Sequence, residues 1–235
     1  MDKSLYKYKT ELHAHSSPAS RCSRVLAKEL VRIYAENDYD TVVLTNHFTH
    51  DMEYVSDKRK CIDSYLADYY AALEEGSRCG INVVLASEVR MAENMNDYLI
   101  YGIDEEFFEQ AYDYLNGGIC EFSERFRNEK TVLLQAHPFR DNMVLADPKY
   151  LDGIEVFNMV PSHNSRIAVA AAYAAKQGFI ASCGSDFHNM GCEALCSLLS
   201  KEEIKTSYDA ARILKSGDYL MEISGFIIEP PKRKI

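Results

Sequence analysis

The chain has 235 residues, 47% hydrophobic and 26% charged, a composition that suits a globular protein with a sizeable core. Its 36 acidic against 26 basic residues leave a net charge of -10, which argues against a broad non-specific nucleic-acid surface, although a local metal cluster can still attract a short anionic substrate. No run is long and apolar enough to span a membrane; "MDKSLYKYKT" has no signal-peptide core, and seven irregularly spaced cysteines without a CxxC pair predict reduced thiols in a cytoplasm rather than disulfides or a structural zinc site.

In chain order, "YKYKTEL" reads as a short strand leading into "HAH". "SRVLAKELVRIYAENDY" places Val25, Leu26, Leu30, Ile33 and Tyr34 at helical spacing, with Ser23 as the expected cap. "TVVLT" (41–45) is β-branched, as a buried parallel strand should be. "DSYLADYYAALEEGSRCG" is a helix ending near Gly80, followed by strands "INVVLAS" (81–87) and "YLIYG" (98–102). A mixed helical stretch from Glu105 to Asn128 precedes strands "TVLLQA" (131–136) and "GIEVFN" (153–158). The Ala-rich helix "SRIAVAAAYAAKQG" is closed by Gly178, strand "FIASCG" (179–184) follows, and "SYDAARILKSGDYLMEIS" predicts a last helix and strand. Such alternation, with neither GxGxxG nor Walker A loop, predicts one α/β domain over 1–235 with a mainly parallel sheet, closed or distorted into a barrel.

The polar residues collect at the strand ends. His13 and His15, two apart on an extended chain, face the same way. His47 follows the second strand and Glu88 the third; Asp97 lies beside "YLIYG", His137 follows "TVLLQA", Glu155 sits within "GIEVFN", and Asp186 and His188 follow "FIASCG". Five of the seven histidines thus occupy the ends where parallel α/β folds gather functional groups. Imidazoles mixed with carboxylates suit zinc, manganese or iron rather than an all-oxygen magnesium or calcium site. His13, His15, His47, Glu88, His137, Asp186 and His188 exceed what one ion needs, so two or three divalent transition metals are expected, with Glu88 or Asp186 able to bridge. Paired metals roughly 3.5–4 Å apart suit hydrolysis of a phosphate ester.

"ELHAHS", "LTNHF", "ASEV", "AHP" and "GSDFH", in that order, resemble the PHP (polymerase and histidinol phosphatase) family from about Glu11 to His188. The resemblance implies a distorted seven-stranded (β/α) barrel, a trinuclear metal site and phosphoesterase activity. It implies that His13, His15, Glu88 and Asp186 hold one metal, that His47 and His188 help to hold a second, and that Glu88 and His137 contribute to a third. The chain departs from the family pattern at three places. Cys22, in "SPASRCS", stands where the family often has Asp or His, and reads as a thiolate ligand or as a small buried residue. Asn46 replaces the Asp of TDH, so a carboxylate behind His47 is lost or supplied elsewhere. A histidine common after the Glu motif is missing; of Asp97 and Tyr98, Asp97 is the better ligand.

Around these, Glu155 reads as a supporting carboxylate and Arg140 either as a phosphate fork or as half of a surface ion pair. Arg21 and Arg90 are weaker phosphate candidates, His50 and His163 read as loop histidines, and Tyr69 and Tyr70 as packing. Asp186, His188 and Arg140 are the expected catalytic residues, and the expected substrate is a small phosphomonoester such as a sugar, nucleotide or histidinol-phosphate-like amino-alcohol phosphate. Two rival readings are an amidohydrolase-like enzyme acting on C–N bonds and a non-catalytic, metal-dependent binding module. Oligomeric state is left open.

Overall fold

The computed structural model describes residues 2–231. Strand β1 (Tyr8–Ala14) leads to helix α1 (Ala27–Glu36), strands β2 (Thr41–Leu44) and β3 (His47–Thr49), and the long helix α2 (Lys58–Cys79). Strands β4 (Asn82–Leu85), β5 (Ser87–Arg90) and β6 (Tyr98–Tyr101) follow, then helices α3 (Glu105–Ala111) and α4 (Ile119–Phe126) with a 3-10 turn between them. Strands β7 (Val132–Gln135) and β8 (Gly153–Asn158), helix α5 (Ile167–Gln177), strands β9 (Ile180–Gly184) and β10 (Cys196–Ser200), helix α6 (Ser207–Ser216) and strands β11 (Leu220–Ile223) and β12 (Phe226–Ile228) complete it.

The expected elements form, with displaced boundaries. Helix α1 starts at Ala27 without a side-chain cap, because the Ser23 hydroxyl donates instead to the His15 carbonyl at 3.0 Å. Helix α2 begins earlier than its apolar pattern, at Lys58, because Asp57 caps it by accepting from the Lys60 N–H. The expected strand 81–87 is two strands, β4 and β5, and a short strand β3 follows β2; β10 and β12 were not expected.

The described strands form two six-stranded sheets, β12-β11-β10-β1-β2-β4 and β3-β5-β6-β7-β8-β9, and no closed barrel. Nor is the pairing mainly parallel: β1–β10, β10–β11, β11–β12, β5–β6 and β6–β7 are antiparallel. The stretch between β5 and β6 is too short for a crossover helix, so the chain must double back. At Ala86, and again at Thr45 and Asn46, the chain leaves one sheet and enters the other, still linked by Ala86 N–H to Leu44 carbonyl and Glu88 N–H to Asn46 carbonyl. The opposite seam is tied by His15 N–H to Phe187 carbonyl at 3.0 Å. Leu12, Val43 and Val84 of the first sheet pack with Leu99, Leu134 and Cys183 of the second, so the two sheets share one apolar interior. Helices α2 to α4 cover the second sheet through an aromatic cluster that includes Phe48, Tyr65, Phe108 and Phe122.

Candidate metal centre

The polar residues converge where the two sheets meet. Despite a register shift between Glu11 and Ala14, His13 and His15 point their Nε2 atoms at each other, 3.0 Å apart, and both rings are fully buried. Glu88 reaches the same point because β5 pairs in parallel with β3, with Glu88 beside His47. Its Oε1 lies 3.1 Å from His137 Nε2 and 3.4 Å from His13 Nε2; its Oε2 lies 3.0 Å from His47 Nδ1 and 3.3 Å from His15 Nε2. Asp186 closes the cluster, its Oδ1 3.5 Å from His13 and 3.4 Å from His15. His188 turns its Nε2 to Cys22 Sγ at 3.1 Å and stacks on His15.

Backbone geometry aims these groups. His137 and Asp186 adopt positive φ, 29° and 50°, a region that costs a residue with a side chain on the order of 1–3 kcal/mol. Gly184 is obligatory in a different way: a Cβ there would lie 2.3 Å from His13 Cβ and 2.6 Å from Glu155 Oε1. Behind the cluster, Glu155 accepts from His13 Nδ1 at 2.8 Å and from the His137 backbone N–H at 3.1 Å, which is the supporting place expected of it.

Burial and charge set the protonation states. Burial disfavours ionised Glu88 and Asp186, yet His13 beside both, with His47 beside Glu88 and a His15 hydrogen bond to Asp186, holds both carboxyls well below the ordinary range. His13 shows the reverse balance: burial lowers its pKa, but Glu155, Glu88 and Asp186 outweigh this and raise it well above the usual value. His15, desolvated and facing His188 and His47, drops to about 4. Burial pushes the Cys22 thiol up, but hydrogen bonds from His188 and His47 bring it down to about 6.

This donor set fits metal ions. Glu88 Oε2 and His47 Nδ1 are buried and in contact, yet neither has a hydrogen-bond partner, and His137 Nδ1 is likewise unsatisfied. Buried polar atoms are seldom left so. Three overlapping sets, His13–His15–Glu88, His15–His47–His188 and His47–Glu88–Asp97, each bring their ligand atoms within 4.8 Å of one another. The ligand sites of Cys22 and Asp97 are less open. Cys22 reaches His188 and belongs to none of the three sets, and both Asp97 oxygens are held by Arg90, Nε and Nη2 at 2.7 Å each. Arg90 is therefore committed to Asp97. Arg140 is not a surface ion pair: its Nη2 bonds Asp186 Oδ2 at 2.5 Å and Asn158 Oδ1 at 2.9 Å, and its buried Nε is unpartnered.

A cavity of ≈ 290 Å³ opens on the cluster, walled by Arg140, Ser162, His163 and Asn189, so His163 is a pocket residue although it reads as loop. A second cavity of ≈ 240 Å³ shares Cys22, His47 and Arg90 with it and is lined beyond them by Arg21, Thr49 and Met52. His50 lines neither, and Tyr69 packs against the aromatic core. Ser20, Asn158 and Asp68 lie around the site with no strong sequence signal; only the unusual Asn46 hinted at a rebuilt surround.

No family model matches the chain, and no curated protein matches it in sequence. Solved structures do match. A two-domain protein containing a predicted PHP-like metal-dependent phosphoesterase, from Bacteroides vulgatus, aligns with a TM-score of 0.57 at 14% identity over 94% of this chain and 66% of that one. A predicted metal-dependent phosphoesterase from Bifidobacterium adolescentis aligns at 0.49 and 14% identity over 79% and 89% of the two chains. An amidohydrolase from Chromobacterium violaceum, with bound sulfate and no metal, aligns at 0.49 and 16% over 77% and 88%. Among the described residues no helix is long and apolar enough to cross a membrane. The family resemblance drawn from the motifs is thus met at the level of architecture: this chain shares its fold with part of a two-domain protein that contains a predicted PHP-like metal-dependent phosphoesterase.

Proposed function

We propose that the chain is a single-domain, metal-dependent phosphoesterase of the PHP family, acting on small phosphomonoesters. The observation that carries this reading is Glu88: one fully buried carboxylate contacts the ring nitrogens of His13, His15, His47 and His137 within 3.4 Å, with one oxygen left without a hydrogen bond. Two or three divalent ions (zinc, manganese or iron) would be held by His13, His15, His47, Glu88, His137, Asp186 and His188, with Cys22 and Asp97 as the remaining candidates. When bound, such ions supply Lewis acidity and a water acidic enough to ionise near neutral pH.

The protein's own share is placement. Arg140 bonds Asp186 and Asn158 and lines the cavity, which brings its guanidinium within reach of a phosphate oxygen. Asp186 and His188 border the cavity, which would put them beside a reacting phosphate. The cavity over the ligand cluster, ≈ 290 Å³, suits a small ester, and a chain of net charge -10 suits no long polyanion. Seven free thiols support a reducing, cytoplasmic setting.

The test is turnover of the metal-loaded protein on p-nitrophenyl phosphate and a panel of phosphomonoesters, phosphodiesters and cyclic amides. Phosphomonoester hydrolysis lost with chelator is expected. Amide cleavage without any phosphate release would replace this reading with the amidohydrolase one. Bound metal without turnover of any of these substrates would favour the metal-dependent binding module, and fewer than one transition metal per chain after growth with zinc and manganese would overturn the metal-dependent reading.

A further inference from the structure

The position behind the ligands where a carboxylate was expected holds Asn46, and the hydrogen bonds around it lead to a carboxylate farther away. Donor and acceptor roles along this path are set by backbone groups. The Ser16 N–H donates to Asn46 Oδ1 at 2.7 Å, which fixes which end of the amide is oxygen. Asn46 Oδ1 also accepts the Ser20 hydroxyl at 2.9 Å, so the single Ser20 proton is spent there. Ser20 Oγ can then only accept: from the His47 backbone N–H at 2.9 Å and from His15 Nδ1 at 3.1 Å. On the other side, Asn46 Nδ2 donates to Ser16 Oγ at 3.0 Å, so the Ser16 hydroxyl must donate onward, which it does to Asp68 Oδ2 at 2.8 Å. Asp68 Oδ2 also accepts the Ala19 N–H at 3.0 Å. All five side chains, Asp68, Ser16, Asn46, Ser20 and His15, are buried.

We infer that Asp68, on α2, is a positioning residue for the metal centre: through Ser16, Asn46 and Ser20 it anchors a relay that keeps His15 protonated at Nδ1 and its Nε2 lone pair open toward the ligand cluster. The carboxylate that would stand directly behind the ligands is moved about one relay outward, and the neutral Asn46 becomes necessary, because an aspartate there would compete with Asp68 for the single Ser16 proton. Each link polarises the next, so the negative end at Asp68 raises the basicity of His15 as an adjacent carboxylate does for other metal-bound imidazoles. The inference rests on the metal-centre reading above but not on phosphoesterase activity.

Two measurements test it. In metal-free protein at neutral pH, long-range 1H–15N NMR of the imidazoles should show the His15 Nδ1–H tautomer; an Nε2–H tautomer overturns the relay, whatever the protein binds. Zn2+ affinity, read by competition with a fluorescent chelator, should fall about 10-fold or more in Asp68→Asn. Asp68→Glu, which keeps the carboxylate, should hold most of the affinity that Asp68→Asn loses. Unchanged affinity in Asp68→Asn overturns the proposal, as does an equal loss in Asp68→Glu. If the unsubstituted protein binds no zinc, manganese or iron(II), the metal-centre reading fails, and the tautomer alone decides the relay.

Discussion

His13 and His15 point at the same spot but are backed by different groups. His13 has the Glu155 carboxylate behind its Nδ1, and His15 has the Ser20 hydroxyl. In metal-free protein His13 is therefore held protonated, its Nε2–H directed at the neutral His15 Nε2, and an ion entering the cluster must displace that proton. Because the His13 pKa is raised, lowering pH stabilises the proton against the ion: metal uptake should release protons and tighten as pH rises. Calorimetry in buffers of different ionisation enthalpy measures this, and an affinity flat with pH would contradict it. Alanine at His13 or at Asp186 should remove both bound metal, by elemental analysis, and turnover. Cys22, exposed and with its thiol near 6, should be the fastest of the seven cysteines to react with iodoacetamide at pH 7, with a rate midpoint near pH 6 and protection by metal. At this scale the imidazoles and carboxylates could be read from sequence, because HxH spacing and strand ends place them. Arg90 on Asp97 and Arg140 on Asp186 could not be read, because those pairs join residues on separate elements.

At the scale of elements, the centre depends on close approach and on breaks in strands. Strand β9 comes near enough to β1 only because residue 184 has no side chain. Gly184→Ala should force His13 and Glu155 apart, cost about 1–3 kcal/mol in denaturant unfolding, and weaken metal binding far more than an alanine on an exposed helix face. Strand β6 runs antiparallel to β5, so its start, not its end, lies beside Glu88; that is why Asp97, ahead of the strand, faces the cluster. The apolar runs in "INVVLAS" and "TVVLT" announce strands but do not reveal that each is followed by a second strand in the other sheet. That switch comes from pairing between distant strands, for which a short apolar run carries no code.

At the scale of the molecule, the ligands come from both sheets: His13 and His15 from β1 and its end, His47, Glu88 and His137 from the second sheet and its loops. Bound ions would join the two sheets across their seam. An ion that binds only the folded state at about 100 times its Kd adds about 2.7 kcal/mol. Chelation should therefore lower the Tm by roughly 5–10 °C for a chain of this size. A melting curve unmoved by chelator and restored metal alike would separate the ligand cluster from stability.

The sequence by itself determined the chemistry of the centre. Five imidazoles, Glu88 and Asp186 at successive strand ends follow from local periodicity and motif order, and so did the α/β class and most helices. Only the tertiary structure decided how the strands divide into two mixed sheets, which carboxylates are already engaged by arginine, that His163 faces the cavity, and that Asp68 stands behind Asn46. These are contacts between residues on different elements, set by packing and by the need to satisfy each buried donor and acceptor, and neither leaves a periodic trace in the chain.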